Sequence, residues 1–571
     1  MAGRRVPPFA LLVITVVCAP GLQAQEQVPC DSQIIHAILV EPSVLFTEES
    51  DPRFVSQVAQ WLGNSLSWRT RESTIRGELR FTEGDRCDAG LLAESARVLR
   101  AQPYLRSADI VAITAGEGTV DVIVRTRDEL GLEGALRVET RGGVALRAFR
   151  LTEENLMGLG MLYQLRYDNL GRRPGLEVDV LHRQVLGRND VALVAGRTSV
   201  GPVGEMSVGR VFESELDSTA WRADLRFREE PFALGSESLG TVTQPMGVTG
   251  GNMGFAVRSG QGETRLMAGL SVTYERLFVA GAPLAALPED DSIAGAALAG
   301  RYTELRRFST NLILGYRSVE FLNRRDPDGV DAIADLRDGV ELRMILGRGW
   351  NMGSGTQRDW FGLADLHVGG ELSRRLLVFV RSRVEARYLE ATDRWDGVIA
   401  TGDLFTYVRP GPRTLVALNV QSAGGWNTST PFQMMLSGQY GMHGYGMGSK
   451  PVGRRVVAQA EHRYLLGTIF RAADLGTSLF VEAGRGWAGD APFAENTPTL
   501  WAAGVGLRGA FPAGSRLTTR LDITAPLSGG HGVEVRLILR QTLGIGRAEA
   551  ADVSRSRLPL SAREPFQFTR Y

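Results

Sequence analysis

Beyond Gly453 the chain alternates strictly between two chemistries. Val456, Ala458 and Ala460 stand on one parity, and Gln459, Glu461 and Arg463 stand on the other. Successive side chains of a strand point to opposite faces, so this stretch is apolar on one side and charged on the other. The pattern returns over 161–168, where Tyr163, Leu165 and Tyr167 oppose Gln164, Arg166 and Asp168. It returns over 266–275, with Leu266, Leu270 and Tyr274 on the apolar parity. A further copy lies over 533–540, where Val535 and Leu537 oppose Glu534 and Arg536. Strands that separate an apolar solvent from a wet interior suit the wall of a transmembrane barrel, which needs about 9–11 residues per crossing. Soluble sandwiches alternate too, and the pattern alone leaves both open.

Length argues for the barrel. Residues 131–545, at roughly 26 residues per strand and connection, predict about sixteen strands, an even number as such barrels require. Glycine, 68 of 571 residues, suits many strands and tight turns. No run of 18 apolar residues offers a spanning helix, because the best candidate, 277–300, is broken by Pro288, Glu289, Asp290 and Asp291. The expected lipid-facing residues include Leu266, Leu270, Tyr274, Val535 and Leu537.

Other function classes find little support. Basic and acidic residues balance at 64 each, so no field of one sign favours nucleic acid. Six histidines without Cys/His clustering propose no metal site. Gly504, Gly506 and Gly509 satisfy GxGxxG, but Phe511-Pro512-Ala513-Gly514 follows where a dinucleotide fold needs a helix N-terminus. His462 and Glu461 point to opposite faces of their strand and form no catalytic pair. No catalytic or cofactor-binding residue is expected, and the chain does not read as an enzyme.

The first residues read as an export leader. Arg4 and Arg5 precede an apolar run over 9–19, and Ala24 suits cleavage. A lipoprotein cysteine at Cys18 is the alternative, with Val17 a poor residue before it. Cleavage after Ala24 leaves Cys30 and Cys87, compatible with one disulfide if geometry permits. Residues 25–129 read as a small α/β unit. A strand over 34–40 precedes a helix opened by Asp51-Pro52, with Phe54, Val55, Val58, Trp61, Leu62 and Leu66 at helical spacing. Residues 74–81 read as extended, and Asp88 caps a second helix that Pro103 ends. Strands over 105–114 and 119–126 follow, joined by Gly116-Glu117-Gly118.

This order of elements resembles a POTRA domain, as do Ile75-Arg76-Gly77-Glu78-Leu79, Gly84-Asp85, and the stretches 94–100 and 104–110. The glycine-dense stretch over 440–464, with Gly441, Gly444, Gly446 and Gly448, resembles the loop and strand signature of the BamA/TamA outer-membrane assembly superfamily. Met442, His443, Gly444 and Tyr445 match its Val-Arg-Gly-Phe/Tyr consensus, with His443 in place of the arginine. Asn155-Leu156-Met157-Gly158-Leu159-Gly160 is similar to its early strand turn. Phe480-Val481-Glu482-Ala483-Gly484 is similar to its Phe-x-Asp-x-Gly strand, and Arg520-Leu521-Asp522-Ile523 to its closing strands. The resemblance covers nearly the whole chain after the leader.

It implies a mainly β fold: a sixteen-stranded antiparallel transmembrane barrel preceded by one α/β POTRA-like domain. The implied boundaries are 1–24 for the signal peptide, 25–129 for the periplasmic POTRA-like domain, 130–545 for the barrel and 546–571 for a tail. The implied location is the bacterial outer membrane, and the implied work is insertion or translocation of other polypeptides without a cofactor. Partners would be the lipid bilayer, unfolded outer-membrane or exported client polypeptides, and periplasmic accessory proteins. A passive porin-like channel and a structural or lipid-handling protein remain as alternatives. The resemblance further implies that the loop folds into the lumen, where His443 meets Glu461 and Glu482. Otherwise Arg454 or Arg455 satisfies those carboxylates. Histidine offers no permanent bidentate fork, so such a lock would depend on pH. The last strand is expected over 532–543, with 566–571 as the alternative.

Overall fold

The computed structural model describes residues 30–43, 64, 67–139, 145–170, 173–185, 187–260, 262–352, 358–438, 441–446, 450–530, 532–541, 549–557 and 566–568. The expected leader over 1–24, nearly all of the helix expected over 51–66, Gly448 and Leu543 lie outside these residues.

The amino-terminal unit follows from its caps and turns. It comprises β1 (Asp31–Ser43), α1 (Glu72–Glu78), β2 (Arg86–Asp88), α2 (Ala89–Ala101), β3 (Leu105–Gly116) and β4 (Thr119–Asp128). Asp88 opens α2 by accepting from the amides of Gly90 at 2.7 Å and Leu91 at 3.1 Å. Leu92, Ala96, Val98 and Leu99 form the helix's buried face. Leu92 and Leu99 belong to one core with Ile35, Val120 and Val122 of the sheet. Full burial of each such aliphatic side chain contributes about 1.5–3 kcal/mol. The strands lie in the order β2-β1-β4-β3, with β1 parallel to β4. Cys30 and Cys87 are joined by a disulfide across the start of β1 and β2, with Cα atoms 5.3 Å apart. The extended segment expected over 74–81 is corrected. Its first part is α1, because Ile75 and Glu78, three apart, are buried together on one helical face.

The wall begins with the short strands β5 (Leu132–Glu139), β6 (Ala145–Leu156), β7 (Met161–Asp168), β8 (Gly175–Val185), β9 (Asn189–Arg197) and β10 (Pro202–Arg210). It continues through β11 (Thr219–Ser236), β12 (Gly240–Ser259) and β13 (Thr264–Val279). Helix α3 (Asp291–Leu298) precedes β14 (Leu305–Arg325), β15 (Ile333–Trp350) and β16 (Asp359–Ser373). Next come β17 (Leu376–Leu389), β18 (Arg394–Gly411) and β19 (Thr414–Trp426). A separate ladder pairs β20 (Met434–Met435) with β21 (Pro451–Val452). The wall resumes with β22 (Arg454–Ile469), β23 (Ala473–Trp487), β24 (Leu500–Ala510), β25 (Thr518–Pro526) and β26 (Glu534–Gln541). A short helix, α4 (Ala551–Ser554), follows.

These strands close into one antiparallel barrel in which β26 lies beside β5 and β19 pairs directly with β22. The described residues contribute twenty strands to it, not the sixteen expected. Strands of 8 or 9 residues, such as β7, β9 and β10, use less chain than the assumed spacing. The GxGxxG stretch lies inside β24. Parity along the wall separates two environments. On β13, Leu266, Leu270 and Tyr274 face outward and are exposed, while Met267, Ser271 and Glu275 are buried inside. Val535 and Leu537 are exposed on β26, and Arg536 between them is buried. An apolar exterior on a closed barrel suits a bilayer. Among the described residues no helix is long and apolar enough to cross a membrane.

The amino-terminal unit sits on one mouth of the barrel. Arg100 of α2 pairs with Asp335 at 2.8 Å. Glu94 accepts from the Ser214 hydroxyl at 2.7 Å and the Glu215 amide at 2.6 Å, in the turn between β10 and β11. The Asn155 side-chain amide donates to the Trp68 carbonyl and the Thr70 hydroxyl, both at 3.0 Å. The following turn needs glycine for two reasons. Gly158 and Gly160 have φ of +74° and +60°, and a Cβ on them would strike the Arg69 carbonyl and the Tyr104 ring.

Candidate functional site: a loop docked inside the barrel

The connection between β19 and β22 turns inward rather than standing off the rim. Its base is the β20–β21 ladder, and Met442, Leu436, Met434 and Val452 are fully buried in one apolar cluster. The Met442 amide donates to the Leu436 carbonyl at 2.8 Å, which tightens the turn before the motif. The Met442 side chain lies against Gly484 of β23, where any Cβ would overlap its sulfur.

His443 then meets Glu482, on the lumen parity of β23. Its backbone N–H donates to Glu482 Oε2 at 2.9 Å, and its Nδ1 lies 2.7 Å from Oε1. Gln459 Nε2 of β22 donates to the same Oε1 at 2.7 Å. Glu482 is only 2% exposed, so these partners replace the water it gives up on burial. The imidazole stacks at a tilt on Phe480, with ring centroids 5.7 Å apart, and its Nε2 reaches within 4.0 Å of Asp522 Oδ2 on β25.

Gly444 and Gly446 carry the chain onward. Gly444 takes φ of +86°, and its amide donates to Glu534 Oε2 of β26 at 2.6 Å. Gly446 donates to the same oxygen at 3.4 Å. The Tyr445 hydroxyl lies 2.6 Å from the carbonyls of both Trp501 and Ser528. Arg536 closes the set by pairing with Glu534 at 2.6 Å and donating to the Gly438 carbonyl at 2.9 Å. One loop thus touches β23, β24, β25 and β26, the last strands before the seam.

Glu461 is not a partner of His443, which corrects the expectation. It is fully buried deeper on β22 and is held by Arg463 at 2.7 Å, Arg520 at 3.4 Å and Arg508 at 3.7 Å. Three guanidinium groups already surround that carboxylate, so it has no need of an imidazole. Asp522 and Glu534 stand where a second acidic partner was expected. Their strand parity placed both inside the barrel, but nothing local showed which would face the loop. Arg454 and Arg455 take neither carboxylate: Arg455 pairs with Asp552 at 2.6 Å, and Arg454 lies over the Trp426 ring.

No family model matches this chain, and no curated protein matches it. Among solved structures it is similar to BamA from Haemophilus ducreyi lacking POTRA domains 1–3, at 12% identity and a TM-score of 0.34, over 88% of this chain and 83% of that one. It is similar to CdiB from Escherichia coli at 12% identity and a TM-score of 0.36, over 91% and 92% of the two chains. It is also similar to CdiB from Acinetobacter baumannii at 11% identity and a TM-score of 0.34, over 84% and 73%.

Proposed function

We propose that this protein is a BamA/TamA-like barrel of the bacterial outer membrane that assists insertion or translocation of other polypeptides. The observation that carries the reading is the Met442-His443-Gly444-Tyr445 loop seated on Glu482 inside the barrel. A loop that spends its polar groups on the inner wall braces β23–β26 from within and leaves the adjoining seam as the weak line of the wall. Among the described residues β26 lies beside β5 where the barrel closes on itself. On this reading the main-chain groups of that closing seam are what an incoming strand uses. On this reading the amino-terminal α/β unit is a periplasmic POTRA-like domain that presents unfolded clients, with or without accessory proteins, to the mouth it covers.

Depletion of the protein followed by quantitative outer-membrane proteomics tests this. Loss of other barrel proteins at unchanged transcript levels is expected. Unchanged protein content with reduced solute permeability would instead make it a passive porin-like channel. Unchanged protein content with altered lipid asymmetry would make it a lipid-handling protein.

A further inference from the structure

The chain after β26 returns to the barrel interior. Val553 of α4 is fully buried with Met434, Leu436 and Met442 of the lumen loop. Asp552 pairs with Arg455 at 2.6 Å and accepts from the Met435 amide at 3.3 Å. Arg557 crosses to Glu385 of β17 at 2.9 Å. Farther on, Phe566 and Phe568 are both 0% exposed, in a cluster with Ala256, Met267, Ile313 and Ile345. Those four residues line the inner face of β12, β13, β14 and β15, on the parity opposite to the exposed Met253, Leu266, Leu312 and Leu346.

The seat is built for this segment in three ways. Gly254 and Gly315 lie under the two rings, and a Cβ on either would overlap Phe566 or Phe568. The backbone is recognised as well: Arg343 donates to the Phe566 carbonyl at 3.3 Å, and Arg258 donates to the Phe568 carbonyl. Arg317 completes the seat, with its guanidinium 5.2 Å from the Phe568 ring centroid. Two ring pockets, with the Phe566 and Phe568 carbonyls each held by an arginine, select a segment with aromatics two residues apart.

We propose that this inner wall is a peptide-binding site for an aromatic-x-aromatic segment, and that Phe566-Gln567-Phe568 is its resident, displaceable ligand. Phe566-Gln567-Phe568 then plugs the lumen from within. Arg258 also donates to the Ser214 and Asp217 carbonyls, and Arg317 pairs with Glu215. The same turn accepts the α2 domain through Glu94, so movement of that domain pulls on the groups that hold the plug. The inference requires the membrane barrel but not the insertion of clients.

The test uses the full chain in planar lipid bilayers. Phe566→Ala/Phe568→Ala should conduct in long openings where the unaltered protein stays closed. A synthetic peptide of residues 562–571 should close that variant, and should bind about tenfold more tightly than one with the two phenylalanines made adjacent, a difference of about 1.4 kcal/mol. Equal conductance of the unaltered protein and a variant that retains its folded, heat-modifiable migration would overturn the plug. Equal closure by both peptides would overturn the site's preference. Should the variant fail to assemble, the unaltered protein still decides. Peptide at about millimolar concentration, enough to compete with a tethered segment, should speed carboxypeptidase removal of the tail, and an unchanged rate would overturn displacement.

Discussion

The His443 imidazole reaches one carboxylate with its ring and the same carboxylate with its own backbone N–H. This divides the docking energy unevenly. Glu482→Ala removes both bonds and strands Gln459, at a cost of about 1.5–3 kcal/mol for bonds to a charged group. His443→Ala keeps the backbone bond and should cost about 0.5–1.5 kcal/mol. Chymotrypsin cleavage after Tyr445 in the folded barrel should therefore accelerate more in Glu482→Ala than in His443→Ala. Equal rates would show that the carboxylate is not what holds the loop. A second residue-scale effect lies in the amino-terminal unit. Asp128 of β4 accepts from the Thr70 amide at 3.1 Å and the Thr70 hydroxyl at 2.6 Å, yet burial pushes its carboxyl up to about 6. The native state therefore binds this proton more tightly than the unfolded chain, whose aspartate titrates near about 3.9. Stability rises as pH falls through about 6 and the gain is complete below about 4, to a total of about 3 kcal/mol. Amide exchange at Thr70, corrected for intrinsic rate, should slow between pH 7 and 5 in the wild type and stay flat in Asp128→Asn.

Among elements, β26 tests the assignment of faces. Leu537 is 59% exposed on the outer parity, whereas Arg536 is buried against Glu534 and Gly438. Leu537→Arg should cost about 2–4 kcal/mol if the residue sits near the bilayer midplane. Arg536→Leu removes one member of a buried pair and leaves Glu534 with only loop amides, so it should loosen the loop while the wall still assembles. Heat-modifiable migration after refolding into lipid separates the two. Normal assembly of Leu537→Arg would mean that the outer face is not in lipid. The disulfide between Cys30 and Cys87 belongs to this scale too, because it ties β1 to β2 across 57 residues. Its removal should cost the amino-terminal unit about 2–5 kcal/mol. Mass spectrometry of unreduced protein should find neither thiol free.

For the whole molecule, what matters is how the amino-terminal unit sits on the barrel. Glu94 joins Arg97 of its own helix to Ser214 and Glu215 of the wall, so Glu94→Ala breaks bonds on both sides of the interface. The seat should weaken by about 1.5–3 kcal/mol, seen as faster amide exchange at Glu215 with unchanged exchange in the core of α2. Slow exchange at Glu215 in that variant would mean that the remaining contacts, Arg100 with Asp335 and Asn155 with Trp68 and Thr70 among them, hold the domain without Glu94.

What the sequence determined by itself was local in origin. Strand parity follows from backbone geometry alone, so Leu266, Leu270, Tyr274, Val535 and Leu537 were legible as the outer face without any neighbour. The Asp88 cap of α2 and the Gly116-Glu117-Gly118 turn were legible for the same reason, since each depends on residues within a few positions. The inward loop was legible only by resemblance, through its motif at Met442–Tyr445. Tertiary structure decided the rest. The strand count depends on how little chain each short strand and turn consumes, which no periodicity reports. That Glu461 goes to three arginines while Asp522 and Glu534 face the loop depends on register across five strands, because every one of those side chains has the same lumen parity. The seat of Phe566 and Phe568 depends on residues some 220 to 310 positions earlier in the chain. A short aromatic pair in a charged tail carries no sign of so distant a partner, and only closure of the barrel brings that wall within reach.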